Sequence, residues 1–470
     1  MKLSEGDEVM QQVTIKDFPH LDLGDVRRNE RFVTIINNVT AQPGASIPRH
    51  SGSWYDTKAA YAFFKNEQVS LDELKKAMQH YGAHQVMEAA HPSVLIIHDI
   101  SNISYNDLQA QGLGYLDNKA GRGVLCYTSI AATTTGMPLS LMYQHTWTRD
   151  PEELGKAAKR KQVAFEDKES FRWYEGMKQV NKLLDSSVHK LHIADREADI
   201  YELFFHAFEP ATDLLIRARQ NRSVKDDTLL LWDSIARQPL AAAITVEVPD
   251  KTGKKKRTAT LEVRYHPVEV LRPVTARKGS YESVTLTAIE VREISSSSSG
   301  DDPLAEEDLI HWKLLTTLSV NSLTEVLQCV KWYTCRWLIE RFHYVLKSGT
   351  KIEELQLKSA QSLQKAIMVY SMAAFRVMQL VYAGRHYPGV SCEVVLTKAQ
   401  WMTLYMLIHN SKQVPEEPPS LQDAVKWIGR LGGHLGRKGD GPPGLKTVWR
   451  GYQQLCAAAS VYELILNEKI

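Results

Sequence analysis

The stretch Tyr333-Thr-Cys-Arg336-Trp-Leu-Ile-Glu340-Arg-Phe-His-Tyr-Val-Leu-Lys347 decides how this chain is read. Its spacing predicts one continuous helix. Advancing about 100° per residue from Tyr333, Arg336, Glu340 and Lys347 fall within a stripe roughly 60° wide. Cys335, Leu338, Phe342, Val345 and Leu346 fall opposite, between about 120° and 220°. One face is expected to pack into a core while the other presents a phenol, a guanidinium, a carboxylate and an ammonium. A solvated face with an i, i+4 ion pair has the same pattern, so the rest of the chain must decide between them.

At 470 residues the chain exceeds one ordinary core, and two or three domains are expected. Hydrophobic residues at 43% and charged residues at 24% are usual for a globular protein. No run approaches the eighteen or so apolar residues of a membrane helix, and the acidic start Met1-Lys-Leu-Ser-Glu-Gly-Asp-Glu does not read as a signal peptide. A cytoplasmic protein with no membrane partner is expected. Cys126, Cys329, Cys335, Cys392 and Cys456 are odd in number and contain no C-x-x-C pair, which argues against zinc or a disulfide framework. The balance of 57 basic and 55 acidic residues gives no compositional sign of nucleic-acid binding. It does not exclude it, because a positive groove can coexist with acidic surfaces elsewhere. The local clusters Lys254-Lys255-Lys256-Arg257 and Arg430 to Lys446, with its Arg437-Lys438 pair, also suit solvated turns.

Along the chain, residues 1–70 read as a small helical unit. Leu23-Gly-Asp25-Val-Arg27-Arg28 leads into Phe32-Val-Thr-Ile-Ile, and Asp56 suits an N-cap for Thr57 onward. Val94-Leu-Ile-Ile is a strand ending at His98-Asp99. Val124 to Ala131, the turn Thr135-Gly136-Met-Pro138 and Leu139 to Tyr143 suggest a hairpin. Residues 169–185 look helical. Leu191-His-Ile-Ala runs as a strand into Asp195, a helix follows with Asp199 as its cap, and Asp213-Leu-Leu-Ile-Arg217 is another strand. Residues 240–317 alternate like half-exposed strands and read as an all-β insertion, with Ser295 to Ser299 as a low-complexity loop. From about 361 onward the chain reads as helical.

Three carboxylates sit where a rigid element could present them: Asp99 and Asp195 after apolar strands, and Glu340 on the helix face. Converging acids repel unless divalent cations neutralise them, and all-oxygen ligands suit Mg²⁺ or Mn²⁺. Two such ions would activate water or a 3′-hydroxyl for phosphoryl transfer, with Tyr333, Arg336 and Lys347 holding phosphates. Turn-capping remains the other reading of Asp99 and of Asp195. Glu197 reads either as a supporting group or as solvated, and His98 and His192 as ordinary hydrogen-bonding residues.

Taken together these residues resemble a bacterial cut-and-paste transposase of the Tn-five type, within the insertion-sequence-four group of DDE transposases. Tyr333, Arg336, Glu340 and Lys347 match the family's Y-x2-R-x3-E-x6-K pattern at every spacing. Asp99-Ile-Ser-Asn-Ile-Ser-Tyr105 and Ala194-Asp195-Arg-Glu-Ala-Asp199-Ile resemble the segments holding its first two acids. The likeness runs from Leu23 through Arg430-Leu-Gly-Gly433 to Lys469-Ile470 and is loose before residue 20.

The resemblance implies an α/β multidomain chain in three parts. They are a helical transposon-end-binding domain (1–70), an RNase H-like catalytic domain with a mixed sheet, flanking helices and the β insertion (71–365), and a helical dimerisation domain (366–470). It implies Asp99, Asp195 and Glu340 as catalytic metal ligands for two Mg²⁺, replaceable by Mn²⁺. It also implies DNA contacts by Tyr333, Arg336, Lys347, Trp312 and Arg217, with Trp312 filling space in a hairpin intermediate. Strand-core packing is the other reading of Trp312. Expected partners are double-stranded DNA, as transposon ends and target, and a second copy of the chain, in the bacterial nucleoid. Because the N-terminal region is present, the chain reads as the full-length enzyme. The alternatives are a DNA-binding inhibitor of transposition and a metal-dependent nuclease that does not join; paired-acid glycoside hydrolysis leaves the Tyr-Arg-Lys stripe unexplained. Truncation before Trp449 is expected to spare single-end binding and abolish pairing.

Overall fold

The computed structural model describes residues 12–117, 121–153, 163–225, 229–248, 257–276, 280–294, 309–437 and 440–467. The acidic start, Lys254 to Lys256, the Ser295 to Ser299 loop, Lys438 and Lys469-Ile470 lie outside these. Along the chain come α1 (Val26–Ala41), α2 (Ile47–Ser51), α3 (Trp54–Lys65), α4 (Leu71–Glu88), β1 (Ser93–Ser104), β2 (Gly114–Tyr115), β3 (Arg122–Thr133) and β4 (Pro138–Trp147). Next are α5 (Phe171–Leu183), β5 (His189–Ala194), β6 (Thr212–Arg217), α6 (Leu231–Ala236), β7 (Ala242–Val248), β8 (Arg257–Leu271), β9 (Ser283–Ile294) and β10 (His311–Thr316). Then follow α7 (Leu323–Thr334), α8 (Trp337–Tyr344), α9 (Ala360–His386), α10 (Lys398–His409), α11 (Leu421–Leu431) and α12 (Leu445–Asn467). They form two compact units, the first holding residues 1–91, 99–155 and 337–470, the second 92–98 and 156–336.

In the first unit α9 is the spine. Met368, Val369, Tyr370, Ala373, Val377 and Met378 are all buried, and burial of each large apolar side chain contributes roughly 1.5–3 kcal/mol. The N-terminal helices pack on it, and the Lys365 ammonium donates to the Asn66 carbonyl at 2.7 Å. Contrary to the expectation from sequence, α9 is long and apolar enough to cross a membrane, with an eighteen-residue window of mean hydropathy 1.4. Since 89% of that window is buried within the protein, its apolarity serves the core.

The α1 helix is capped by Asp25, whose carboxylate accepts from the Arg27 amide at 2.8 Å. For α3 the cap is Ser53, whose hydroxyl accepts from the Asp56 amide at 3.0 Å. Asp56 lies inside the first turn, because Ser53 three residues earlier competes successfully for the cap. The β3–β4 hairpin is present as expected, and α4 lies against β4. At Gly82 any Cβ would collide with the Leu141 carbonyl, so that helix–strand approach requires glycine. At the C-terminal end α11 and α12 cross at a pair of glycines, Gly432 and Gly451, where a Cβ would collide with the Thr447 and Ile428 carbonyls respectively.

The second unit is built on a mixed sheet. Its strand order is β1, β5, β6, β10, β9, β8, β7. β5 runs parallel to both β1 and β6, in register Leu95↔Leu191 and Leu191↔Asp213. β10 then pairs antiparallel with β6, and β9, β8 and β7 continue antiparallel. The strands from 242 to 316 are therefore the same sheet carried onward, because β10 hydrogen-bonds directly to β6.

His98 and His192 lie buried side by side on β1 and β5, His98 Nε2 at 2.8 Å from His192 Nδ1, with His192 Nε2 at 2.8 Å from the Asn181 amide oxygen. Burial holds both rings well below the usual histidine pKa, so they are neutral structural partners.

Asp199 is not the N-cap of the helix that follows it. Residues Tyr201–Phe208 form a 3₁₀ helix starting after Ile200, and the Asp199 carboxylate accepts from the Arg219 and Gln220 amides at 2.7 and 2.6 Å. Its other oxygen pairs with the Arg222 guanidinium at 2.6 Å, with the two side chains 0% and 7% exposed. Asp199→Ala strands a buried arginine and is expected to cost about 3–5 kcal/mol, read as a lowered thermal midpoint.

Candidate functional site

The signature stretch is not one continuous helix. α7 ends at Thr334, the Cys335 and Arg336 amides close tight turns onto Trp332 and Tyr333, and α8 begins at Trp337. A five-residue π turn, Val345–Gly349, follows, closed by the Thr350 amide on the Val345 carbonyl at 2.9 Å. Both breaks shift the angular register, so a uniform 100° wheel misplaces the ends of the motif. The expected buried face holds for Leu338, Phe342, Val345 and Leu346, while Cys335 is half-exposed. Tyr333, expected on the open face, is instead 3% exposed.

In the second unit, five of the expected residues gather. β5 is buried almost throughout and delivers Asp195 at its end, where one carboxylate oxygen accepts from the Glu197 amide at 2.8 Å. The turn-capping interaction of Asp195 is thus present. β6 ends at Arg217, opposite Leu314 of β10, and its guanidinium donates to the His311 carbonyl at 2.9 Å. Tyr333 hydrogen-bonds with Arg336, and its ring meets the Trp312 indole edge-on at 5.2 Å between centroids. Trp312 is half-exposed, so it packs on Tyr333 without being sealed in the core.

Burial pushes the Tyr333 phenol up to about 12, against the pull of Arg336 and Arg217. Burial also lowers the Arg217 guanidinium, which Tyr333 and Asp195 oppose and the charges of Arg196 and Arg336 reinforce. Three guanidiniums therefore share one neighbourhood with Asp195. Planar, always-charged donors in such a group suit bidentate contacts to phosphate oxygens. Nothing in the sequence pattern singles out Arg196; only the fold brings it beside Arg217.

In the first unit stand Asp99, Glu340 and Lys347. Asp99 does not end a strand. β1 continues to Ser104, and Asp99 marks where its fully buried run stops and alternation with Ser101 and Ile103 inward begins. Its carboxylate is 3.5 Å from Nδ1 of His343, a buried residue one turn beyond Glu340 on α8. The other ring nitrogen, Nε2, is a buried atom without a hydrogen-bond partner. On a uniform wheel His343 falls at about 280°, beside the polar stripe, so its position carries a signal that the sequence reading passes over. Lys347, in the π turn, is near enough for its charge to act on Cys126 of β3.

The three acids are divided between the units, Asp99 and Glu340 in the first and Asp195 in the second. All three are half-buried carboxylates, a donor chemistry that fits a hard divalent cation. Among the described residues, no three His, Cys, Asp or Glu side chains are already gathered to hold a metal. All five cysteines are free.

Known families match these segments in order. Residues 10–69 match a transposase DNA-binding family, 174–376 a transposase DDE domain, and 372–462 the transposase Tn5 dimerisation domain. The chain belongs to the DDE transposases of the Tn5 type. Asp195 and Glu340 lie within the DDE match, and Asp99 precedes it. Among solved structures, the chain is similar to a piggyBac transposase synaptic complex with hairpin DNA, at 10% identity and a TM-score of 0.33, over 80% of this chain. It spans about half, 54%, of that protein's length.

Proposed function

We propose that the chain is a cut-and-paste DNA transposase that binds transposon ends, pairs two of them, cleaves through nicking and a hairpin, and joins the 3′-OH ends to target DNA. The observation that carries this reading is the Asp195–Arg217–Tyr333–Arg336 cluster in a chain matching DNA-binding, DDE and dimerisation families in order. The parallel β1–β5–β6 core, extended antiparallel by β10, supports an RNase H-like catalytic region. The division 1–70, 71–365 and 366–470 is proposed on the same matches.

Asp99, Asp195 and Glu340 would hold Mg²⁺, two ions per site, with Mn²⁺ able to substitute. Bound, these ions would activate the attacking oxygen and stabilise the leaving one. The protein's own groups do the rest. Arg217, Arg336 and Lys347 hold backbone phosphates against displacement. Tyr333, a neutral phenol at physiological pH, offers a hydroxyl and a ring edge that fixes Trp312. The Trp312 indole supplies a stacking surface for a displaced base. Double-stranded DNA and a second copy of the chain are the proposed partners, at the bacterial nucleoid.

The test is incubation of the purified protein with duplexes from the DNA flanking its gene, in Mg²⁺. Nicked strands, hairpins and joined products are expected. Nicks without joined products would favour the nuclease reading, and binding without cleavage the inhibitor reading. Trp312→Ala is expected to slow hairpin formation by about 1–3 kcal/mol, the scale of one base–aromatic stack, while sparing first-strand nicking. Equal loss at every step with a lowered thermal midpoint would assign Trp312 to packing.

A further inference from the structure

The buried residues of α8 are Leu338, Ile339, Phe342 and His343. The first three are the apolar side chains a short helix needs where it packs on β3 and α9, and the Phe342 ring reaches Phe375 of α9 at 6.1 Å between centroids. His343 is different. Its imidazole is as buried as its apolar neighbours, yet Nε2 finds no hydrogen-bond partner among the described residues. A buried polar atom left unpaired costs about 1–3 kcal/mol, a cost that leucine in the same place would not carry. What the imidazole offers in return lies on its other edge, where Nδ1 faces the Asp99 carboxylate at 3.5 Å, the two side chains 8% and 17% exposed. A carboxylate can only accept, so the tautomer that suits this contact carries its proton on Nδ1 and leaves a lone pair on Nε2.

We propose that His343 is a positioning residue for the metal site, donating from Nδ1 to one oxygen of Asp99 and leaving the other free for a hard divalent cation. The proposal rests on the reading of Asp99 as a metal ligand and adds what holds that carboxylate. The strand does not hold it unaided, because Asp99 sits on β1 where the fully buried run stops. Glu340 stands one turn before His343 on α8, so a single element presents one acid directly and orients a second through its imidazole. At 3.5 Å the contact is long, as hydrogen bonds around catalytic groups often are before their ligands are bound, and it tightens when Asp99 engages an ion.

The test uses the full chain and Mn²⁺ alone. Bound ion is read from loss of the free-ion paramagnetic resonance signal, with Asp99→Asn as the baseline for binding elsewhere. His343→Leu is expected to weaken the Asp99-dependent binding by about tenfold or more, the scale for losing a group that orients a metal ligand. Its metal-free thermal midpoint is expected to hold or rise, since an apolar side chain replaces an unpaired buried nitrogen. A residue that only packs would lose stability and leave Mn²⁺ affinity alone. His343→Asn places an amide N–H where Nδ1 stands and is expected to bind within about threefold of the unaltered protein, whereas His343→Gln places it at Nε2 and stays about tenfold weaker. With duplex from the DNA flanking the gene, the Mg²⁺ needed for half-maximal nicking by His343→Leu should rise by about the same factor. Unchanged Mn²⁺ affinity in His343→Leu overturns the proposal and leaves Asp99 a ligand. Equal affinities of the asparagine and glutamine proteins overturn it too, and that comparison decides the matter if the leucine protein does not fold. Mn²⁺ binding indifferent to Asp99→Asn overturns the reading of Asp99 and this proposal with it.

Discussion

An Asp195→Asn protein is expected to bind DNA normally and to leave it uncut, with nicking slowed at least a thousandfold, or about 4 kcal/mol of barrier. Asparagine is the informative replacement because Asp195 also holds its local turn, accepting from the Glu197 amide at 2.8 Å. An amide oxygen keeps that cap and removes only the charge. Asp195→Ala would remove both, adding about 1 kcal/mol of lost capping to any loss of chemistry. The comparison separates the two readings of this residue. Near-normal nicking by the asparagine protein in Mg²⁺ would leave capping as its whole role and end the three-carboxylate assignment. Substituting Ca²⁺ for Mg²⁺ in the unaltered protein is expected to permit DNA assembly with little cleavage, since its looser coordination holds the reacting oxygens less firmly.

The second large effect is expected at the end of α12. Cutting the chain before Trp449 is a poor test of dimer formation, because the first half of that helix is core. Val448, Trp449, Tyr452, Leu455, Cys456 and Ala459 are buried within their own unit, largely along α10 and α11. The final turns differ: Val461, Leu464 and Ile465 are 56%, 64% and 49% exposed. A Leu464→Glu/Ile465→Glu protein should therefore keep its fold and its affinity for a single DNA end. Complexes joining two ends should fall at least tenfold, and double-end cleavage with them, as read by gel shift and sedimentation. Paired-end complexes of unchanged abundance would move the dimer contact elsewhere.

Much of the architecture is legible in residue patterns because the patterns are strong. The β5 run Leu191-His-Ile-Ala and the β3–β4 turn Thr135-Gly136-Met-Pro138 specify themselves locally, and both appear as expected. The expectations that failed depended on competition or on partners distant in sequence. Ser53 displaces Asp56 from the α3 cap because both are suitable and only one turn is available. Asp199 looks like a cap from its neighbours, yet its partners are twenty or more residues away. The strands after residue 240 are visible, but alternation cannot tell which strand pairs with which, so their continuity with β6 is not. For the candidate site, residue types and spacing are legible and local geometry is not. A helical wheel has no means of registering the turn at Cys335 or the widened coil after Tyr344.

That widened coil has a consequence for how the chain tolerates change. A π turn accommodates one residue more than a regular helix would, and it persists only where the surroundings hold it. Here Gly349 packs beneath the Trp449 ring, leaving no room for a Cβ without movement of the indole. Deleting one residue between Tyr344 and Gly349 would restore an ordinary helix, with better hydrogen bonds and a rotated Lys347. The surplus residue therefore marks a position where sequence length, rather than residue identity, sets the direction of a charge. Engineering for thermal robustness should treat this turn as untouchable, however irregular it looks.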